Sequence, residues 1–149
     1  RTKRAVSSVA IFLSQKLHGK PLTVVGNGKQ TRDFIHVKDL VSALIKSAVK
    51  AKPGKIYNLG SGKETSVNTI ANIIGGKKVY IPKRPGEPDR SLADISKIKK
   101  ELNWKPTVNI RDGVRELMKI INNWKNAPVW TPKSIKKATK VWFRELGKK

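Results

Sequence analysis

The architecture turns on residues 55–81, KIYNLGSGKETSVNTIANIIGGKKVYI. Lys55 to Leu59 is a brief extended run that flows into Gly60-Ser61-Gly62, a turn between two regular elements. Ser66 follows as a helix cap, and Val67, Ile70, Ala71 and Ile74 share one helical face behind it. Lys77 to Ile81 reads as a strand again. Strands alternating with a capped helix argue an α/β fold.

The flanks repeat the alternation. Toward the N-terminus, Val6, Val9, Ala10, Leu13 and Leu17 recur at helical spacing until Gly19 and Pro21 stop them. Leu22 to Val25 is a short strand, Gly26-Asn27-Gly28 a turn that needs positive φ, and Thr31 to Val37 a second extended run, so 22–36 reads as a hairpin. Asp39 to Lys50 is helical with Leu40, Val41, Leu44, Ile45 and Ala48 inward, ending at Pro53-Gly54.

On the other side, Pro82, Pro85, Gly86 and Pro88 keep the loop to Arg90 irregular. A short helix carries Ile95, Ile98 and Leu102 and halts near Pro106. Asn109 then caps a last strong helix, with Asp112 in its first turn and Ile110, Val114, Leu117, Ile121 and Trp124 on its apolar face. Residues 125–149 differ in kind. This basic tail is broken by Pro128 and Pro132, and from Ser134 to Leu146 it has helical spacing, with Ile135, Ala138, Trp142 and Leu146 on one side. A helix that packs Trp142 onto its own domain is expected there, rather than one lying on a membrane. The sequence therefore divides into 1–124 and a tail, 125–149.

Composition removes several classes of chemistry. The 149 residues include no cysteine, which excludes disulfides, thiolate metal sites and a cysteine nucleophile. Two histidines, His18 and His36, are too few for a histidine zinc site, and each reads as structural. No apolar run approaches the ~20 residues that span a bilayer, and Arg1-Thr2-Lys3-Arg4 is no signal peptide, so a cytoplasmic protein without a membrane partner is expected. The 33 basic residues against 10 acidic give +23. Such a field draws polyanions, but lysines outnumber arginines 25 to 8 and are dispersed, which fits a solvated surface better than a nucleic-acid face.

Neither glycine pair makes a phosphate loop. A dinucleotide fingerprint needs a third glycine three residues on, where Thr31 and Thr65 stand, and a Walker A loop ending at Gly62-Lys63 needs glycine where Tyr57 stands. Gly60-Ser61-Gly62 lies where backbone amides meet anions, though a plain turn explains it. Two segments are more specific: the run from Arg32 to Asp39, and Arg84-Pro85-Gly86-Glu87-Pro88-Asp89-Arg90, where prolines stiffen a loop that can present a guanidinium to a phosphate.

Together these segments resemble the C-terminal half of the NAD-dependent sugar-nucleotide epimerase/dehydratase family, the extended short-chain dehydrogenase/reductases, with the UDP-hexose 4-epimerases as the nearest branch. The resemblance rests on Gly19-Lys20-Pro21-Leu22-Thr23-Val24-Val25-Gly26, the Arg32–Asp39 run, Tyr57-Asn58-Leu59-Gly60-Ser61-Gly62, Arg84-Pro85-Gly86-Glu87, and Ala93-Asp94 leading to Trp104-Lys105-Pro106. Arg1 matches the arginine after the family's Asn-x-Tyr-Gly-Pro motif. The resemblance implies a substrate lobe plus the last strand and helices of a Rossmann-type nucleotide domain, with the 55–59 strand rejoining the parallel sheet.

It further implies a UDP-sugar ligand: Arg32 and Arg84 on the diphosphate, Glu87 on the ribose, the backbone of Thr23 and Val25 at the uracil, and Ser91 near the sugar. The family's cofactor is NAD and its catalytic pair Tyr-x-x-x-Lys. Here Tyr57 is followed four residues on by Ser61 and Tyr80 by Arg84, so the pair and the dinucleotide loop are absent from this sequence. A partner N-terminal half is therefore expected to carry the chemistry, and homo-oligomers are common in the family. Alternatives are a dehydratase or decarboxylase of the same family, or a basic nucleic-acid module. Without that half, the 40–48 and 67–74 helix faces and the 55–59 strand edge are expected to expose apolar surface and promote self-association.

Overall fold

A computed structural model describes residues 7–147. Val6 and Arg1, on which two of the expectations above fall, lie outside the described residues. The chain forms two compact units, one built from residues 1–30, 66–89 and 114–149, the other from 31–65 and 90–113.

In the first unit, α1 (Ser8–Leu17) is followed by β1 (Leu22–Val25). β1 pairs in parallel with β4 (Lys78–Ile81), Leu22 opposite Lys78 and Val25 opposite Ile81. The expected 22–36 hairpin therefore does not form. Gly26 and Gly28 do take positive φ, 57° and 72°. However, the Gly26 amide extends the β1–β4 ladder to the Ile81 carbonyl, while Val25 O accepts from Gly28 N and the Gln30 side chain, which turns the chain away. Helix α3 (Val67–Ile74) is capped by Ser66, whose Oγ accepts from Thr69 N at 3.1 Å. Its apolar face is buried with Leu22 and Val24, so the expected exposure of 67–74 is corrected: these side chains are core.

Two buried polar residues of α1, Ser14 and Gln15, reach the backbone carbonyls of Ala127, Pro128 and Trp130. Gln15 is fully buried; its amide nitrogen donates to Thr23 Oγ1 (2.8 Å) and Trp130 O (2.7 Å), and its oxygen accepts from Thr23 N (3.1 Å). Phe12, Leu13, Ser14 and Gln15 are thus all buried, where a single apolar stripe was expected. The last strong helix, α5 (Ile110–Lys119), is capped by Asn109, whose Oδ1 accepts from Asp112 N at 3.0 Å. It stops at Lys119, and Ile121–Trp124 continues as a 3₁₀ turn. The tail forms two short helices rather than one: α6 (Pro132–Ala138), capped by Thr131 with Pro132 in its first turn, and α7 (Lys140–Leu146), with Thr139 at the break.

In the second unit, β2 (Thr31–Asp33) pairs with β3 (Glu64–Ser66). β2 is shorter than the expected run because His36 caps α2 (Val37–Lys50), accepting from Lys38 N through Nδ1. The core is Ala43, Ile95, Ile98, Leu102 and Trp104, the middle three delivered by the end of the 90–95 loop and by α4 (Ser96–Leu102). The Trp104 indole N–H donates to Ser42 Oγ at 2.8 Å. Only one thin edge of α2 faces this core. Val41, Leu44, Ile45 and Val49 are 46%, 55%, 61% and 77% exposed, contrary to the inward face read from periodicity and in line with the exposure expected of that helix without the family's other half. Residues 55–59 join no strand among the described residues, so the expected strand is corrected to an irregular run in which Ile56 is 81% exposed.

Candidate functional site

The loop after β4 has no regular structure, as its prolines require. It closes on a turn in which Glu87 N donates to Arg84 O at 3.3 Å and Gly86 takes φ 72°. Lys83 and Asp89 pair across its base at 2.5 Å. Inside it, Arg84 and Glu87 come together at 3.9 Å, each side chain about three-quarters buried. The guanidinium carbon also lies 5.7 Å from the centre of the Trp142 ring. Arg84 Nε is buried with no hydrogen-bond partner among the described residues. A buried donor left without an acceptor is costly.

Thr23 and Val25 belong to the same unit, on β1. Gln15 occupies the Thr23 amide and hydroxyl, and Gly28 and Gln30 occupy the Val25 carbonyl. These groups serve the fold.

Arg32 and Ser91 belong to the other unit. Arg32 is on β2, half-buried, with Nη1 donating to Thr31 O at 2.7 Å. Ser91 is exposed in the loop before α4. Beside Arg32, Glu64 accepts from Thr31 Oγ1 and, through both oxygens at 2.8 Å, from the Arg90 fork. Those bonds, Arg90's first, hold the Glu64 carboxyl below its ordinary value and raise Arg90 further. Arg90 is thus committed to structure.

The sequence reading missed Asp33. Its carboxylate accepts from Ser61 N and Ser61 Oγ (both 2.6 Å), Gly62 N (3.0 Å) and Ala93 N (3.3 Å). The Ser61 and Gly62 amides therefore do meet an anion, and the anion is the chain's own. Glycine at 60 is demanded by the approach of Asp33 and by Ala93 Cβ, which would lie 2.7 Å from an added Cβ. An acidic residue sharing a short segment with Arg32 was the available signal. Asp39 is likewise 3% exposed, accepting from Thr107 N (2.9 Å), Thr107 Oγ1 (2.8 Å) and Val108 N (3.0 Å). Burial alone would raise its carboxyl, but these bonds outweigh it and hold it below the ordinary aspartate value.

The NAD that the resemblance implies finds no cradle at either glycine turn. The amides after Gly60 are taken by Asp33, and a Cβ on Gly28 would strike Asn68 rather than face open space. No step through NAD can be built on these residues. Among the described residues no cluster of three or more His, Cys, Asp or Glu could hold a metal, and no helix is long and apolar enough to cross a membrane.

The profile of the family described as GDP-mannose 4,6 dehydratase matches residues 2–117. The chain belongs to this family of nucleotide-sugar epimerases and dehydratases. It is 31% identical over 121 residues to the UDP-glucose 4-epimerase of Mycolicibacterium smegmatis, covering 77% of this chain and 39% of that one. It is 32% identical over 123 residues to UDP-glucuronic acid decarboxylase 1 of Arabidopsis thaliana, covering 77% and 28%. Its fold is similar to the Bacillus cereus UDP-glucuronic acid 4-epimerase solved with UDP-glucuronic acid and NAD, at TM-score 0.74 and 30% identity over 80% of this chain and 41% of that one. The α/β architecture is thus that of Rossmann-type epimerases, and the chain spans about two-fifths, or less, of the length of these relatives. Helices α6 and α7 lie beyond the part matched by the family profile.

Proposed function

We propose that this chain supplies UDP-sugar-binding residues to an NAD-dependent nucleotide-sugar 4-epimerase. The observation that carries the reading is Arg84: a guanidinium on a proline-stiffened loop, held beside Glu87 and the Trp142 ring, with a buried Nε that finds no acceptor among the described residues. A diphosphate oxygen is the acceptor such a donor suits, because charge-assisted bonds to phosphate are short and strong. Glu87 accepts from the ribose hydroxyls in this reading.

NAD and the acid–base residues that exchange the hydride belong to a segment with the dinucleotide loop and the Tyr-x-x-x-Lys pair, which this sequence lacks. The similarity to a UDP-glucuronic acid decarboxylase supports a second reading within the family, a nucleotide-sugar decarboxylase or dehydratase. The two share the same diphosphate ligands and differ in the missing chemistry.

Titration calorimetry of the chain with UDP and with NAD tests the proposal. Weak UDP binding, reduced by Arg84→Ala, and no measurable NAD binding are expected. Losing one charge-assisted bond costs about 1.5–3 kcal/mol, or roughly 10- to 150-fold in affinity. Unchanged UDP affinity in the Arg84 variant, or tight NAD binding, overturns it.

A further inference from the structure

The C-terminal helix meets the Arg84 loop at several points. The Trp142 indole N–H donates to Pro85 O at 2.8 Å, and the ring lies under the Arg84 guanidinium. One residue on in the loop, an added Cβ on Gly86 would sit 3.6 Å from Leu146 Cδ1; Pro85 Cγ is 3.7 Å from the corresponding position on Gly147. An exposed basic tail has no need of such contacts. Trp142 remains 40% exposed, so the indole is not there to fill the core. Its polar atom is spent on a loop carbonyl and its face on a cation.

We infer that Trp142 is a positioning residue of the anion site: the tail fixes the Arg84 loop and holds the guanidinium in a binding orientation. This rests on the reading of Arg84 as a diphosphate ligand. The physical argument is one of ordering. A free arginine on an irregular loop loses rotamer and loop freedom on binding, and that loss subtracts from affinity. Here a cation–π contact restrains the side chain and a hydrogen bond to Pro85 restrains the backbone one residue away. Gly86 at φ 72° gives the loop a bend that the Leu146 side chain covers. The tail lies outside the stretch matched by the family profile, so this support is built from residues of this chain that the family profile does not reach.

The test uses the full chain and UDP as the probe. Trp142→Ala is expected to weaken UDP binding roughly two- to tenfold, the range of one partly exposed cation–π contact plus added ordering. Trp142→Phe, which keeps a ring and loses the N–H, is expected to fall between wild type and Trp142→Ala. Val141→Ala, on the same helix but 59% exposed, is expected to bind UDP like wild type. In an Arg84→Ala background, Trp142→Ala is expected to have no further effect, because its action runs through that side chain. Circular dichroism and melting establish that each variant is folded.

A ligand-free readout is the Arg84 Nε–H signal in nitrogen-edited NMR, expected to exchange slowly and sit upfield in the wild type, and to lose both properties in Trp142→Ala. If Arg84→Ala weakens binding while Trp142→Ala does not, this inference fails and the diphosphate reading stands. An equal loss from Trp142→Ala with and without Arg84 also sinks it, by showing a purely structural role. No UDP binding by the wild type at millimolar concentration, or unchanged binding in Arg84→Ala, removes both.

Discussion

Replacing Asp39 by asparagine changes one atom of a carboxylate that receives three hydrogen bonds in a nearly dry setting. The asparagine oxygen can keep Thr107, whose amide and hydroxyl both donate to Oδ1. The new NH₂ group then faces the Val108 amide, donor against donor, and the charge that strengthened the remaining bonds is gone. An unsatisfied buried donor costs about 1–3 kcal/mol, and the lost charge assistance adds about 1 kcal/mol. A total of about 2–4 kcal/mol lowers the melting temperature by roughly 4–16 °C for a domain of this size.

The sign of the pH dependence follows from the depressed folded-state value. A carboxyl held below its unfolded value stabilises the fold above about pH 4 and loses that contribution as pH falls through the folded value. The gap in melting temperature between wild type and Asp39→Asn is therefore widest near neutrality and narrows under acid. Calorimetric melts from pH 7 down to about pH 3 read it directly. A gap that is absent at neutral pH, or that grows on acidification, refutes the account of Asp39 as a stabilising buried anion.

Two further substitutions follow from the same geometry. Gly60→Ala places a methyl against Asp33 and Ala93 in a well-filled turn and is expected to cost about 1–3 kcal/mol in chemical denaturation. Leu44→Glu with Ile45→Lys, on the exposed stripe of α2, is expected to leave the melting temperature within about 1 °C while lowering self-association in sedimentation, because these side chains contribute apolar surface but little core. A large drop in stability with no change in association would show that the stripe is covered rather than open.

Local signals in the sequence carried well where the chain satisfies them locally. The Ser66 cap and the four apolar residues behind it form the helix that spacing predicts, and Asn109 caps α5 through Asp112. Strand pairing was less legible. Gly26-Asn27-Gly28 has the positive φ of a hairpin turn, yet its neighbour is β4, because a parallel ladder is chosen by contacts far along the chain. Helix α2 shows the limit of periodicity: the stripe at Val41, Leu44 and Ile45 was legible, but the side of it that faces this chain's own core was not. Residues 55–59 have strand composition and no strand partner among the described residues, because a ladder needs a neighbour. At the candidate site, the arginines were legible as types on a stiff loop. Trp142 was legible only as a helix-face aromatic, since nothing local relates it to a loop 57 residues earlier.

Polar rather than apolar contacts explain how such distant segments are pinned. Gln15 reaches a tail carbonyl 115 residues away, Asp39 binds amides 68 and 69 residues away, and Asp33 joins turns 28 and 60 residues away. Each is a single side chain with several directional bonds, so each fixes register where small apolar clusters would tolerate sliding. The consequence for function is specific. The glycine turn that looks most like a nucleotide-phosphate loop is already neutralised by Asp33, whereas the Arg84 loop keeps a buried donor without an acceptor. In the proposed reading, an incoming diphosphate therefore gains little at the first and more at the Arg84 side chain.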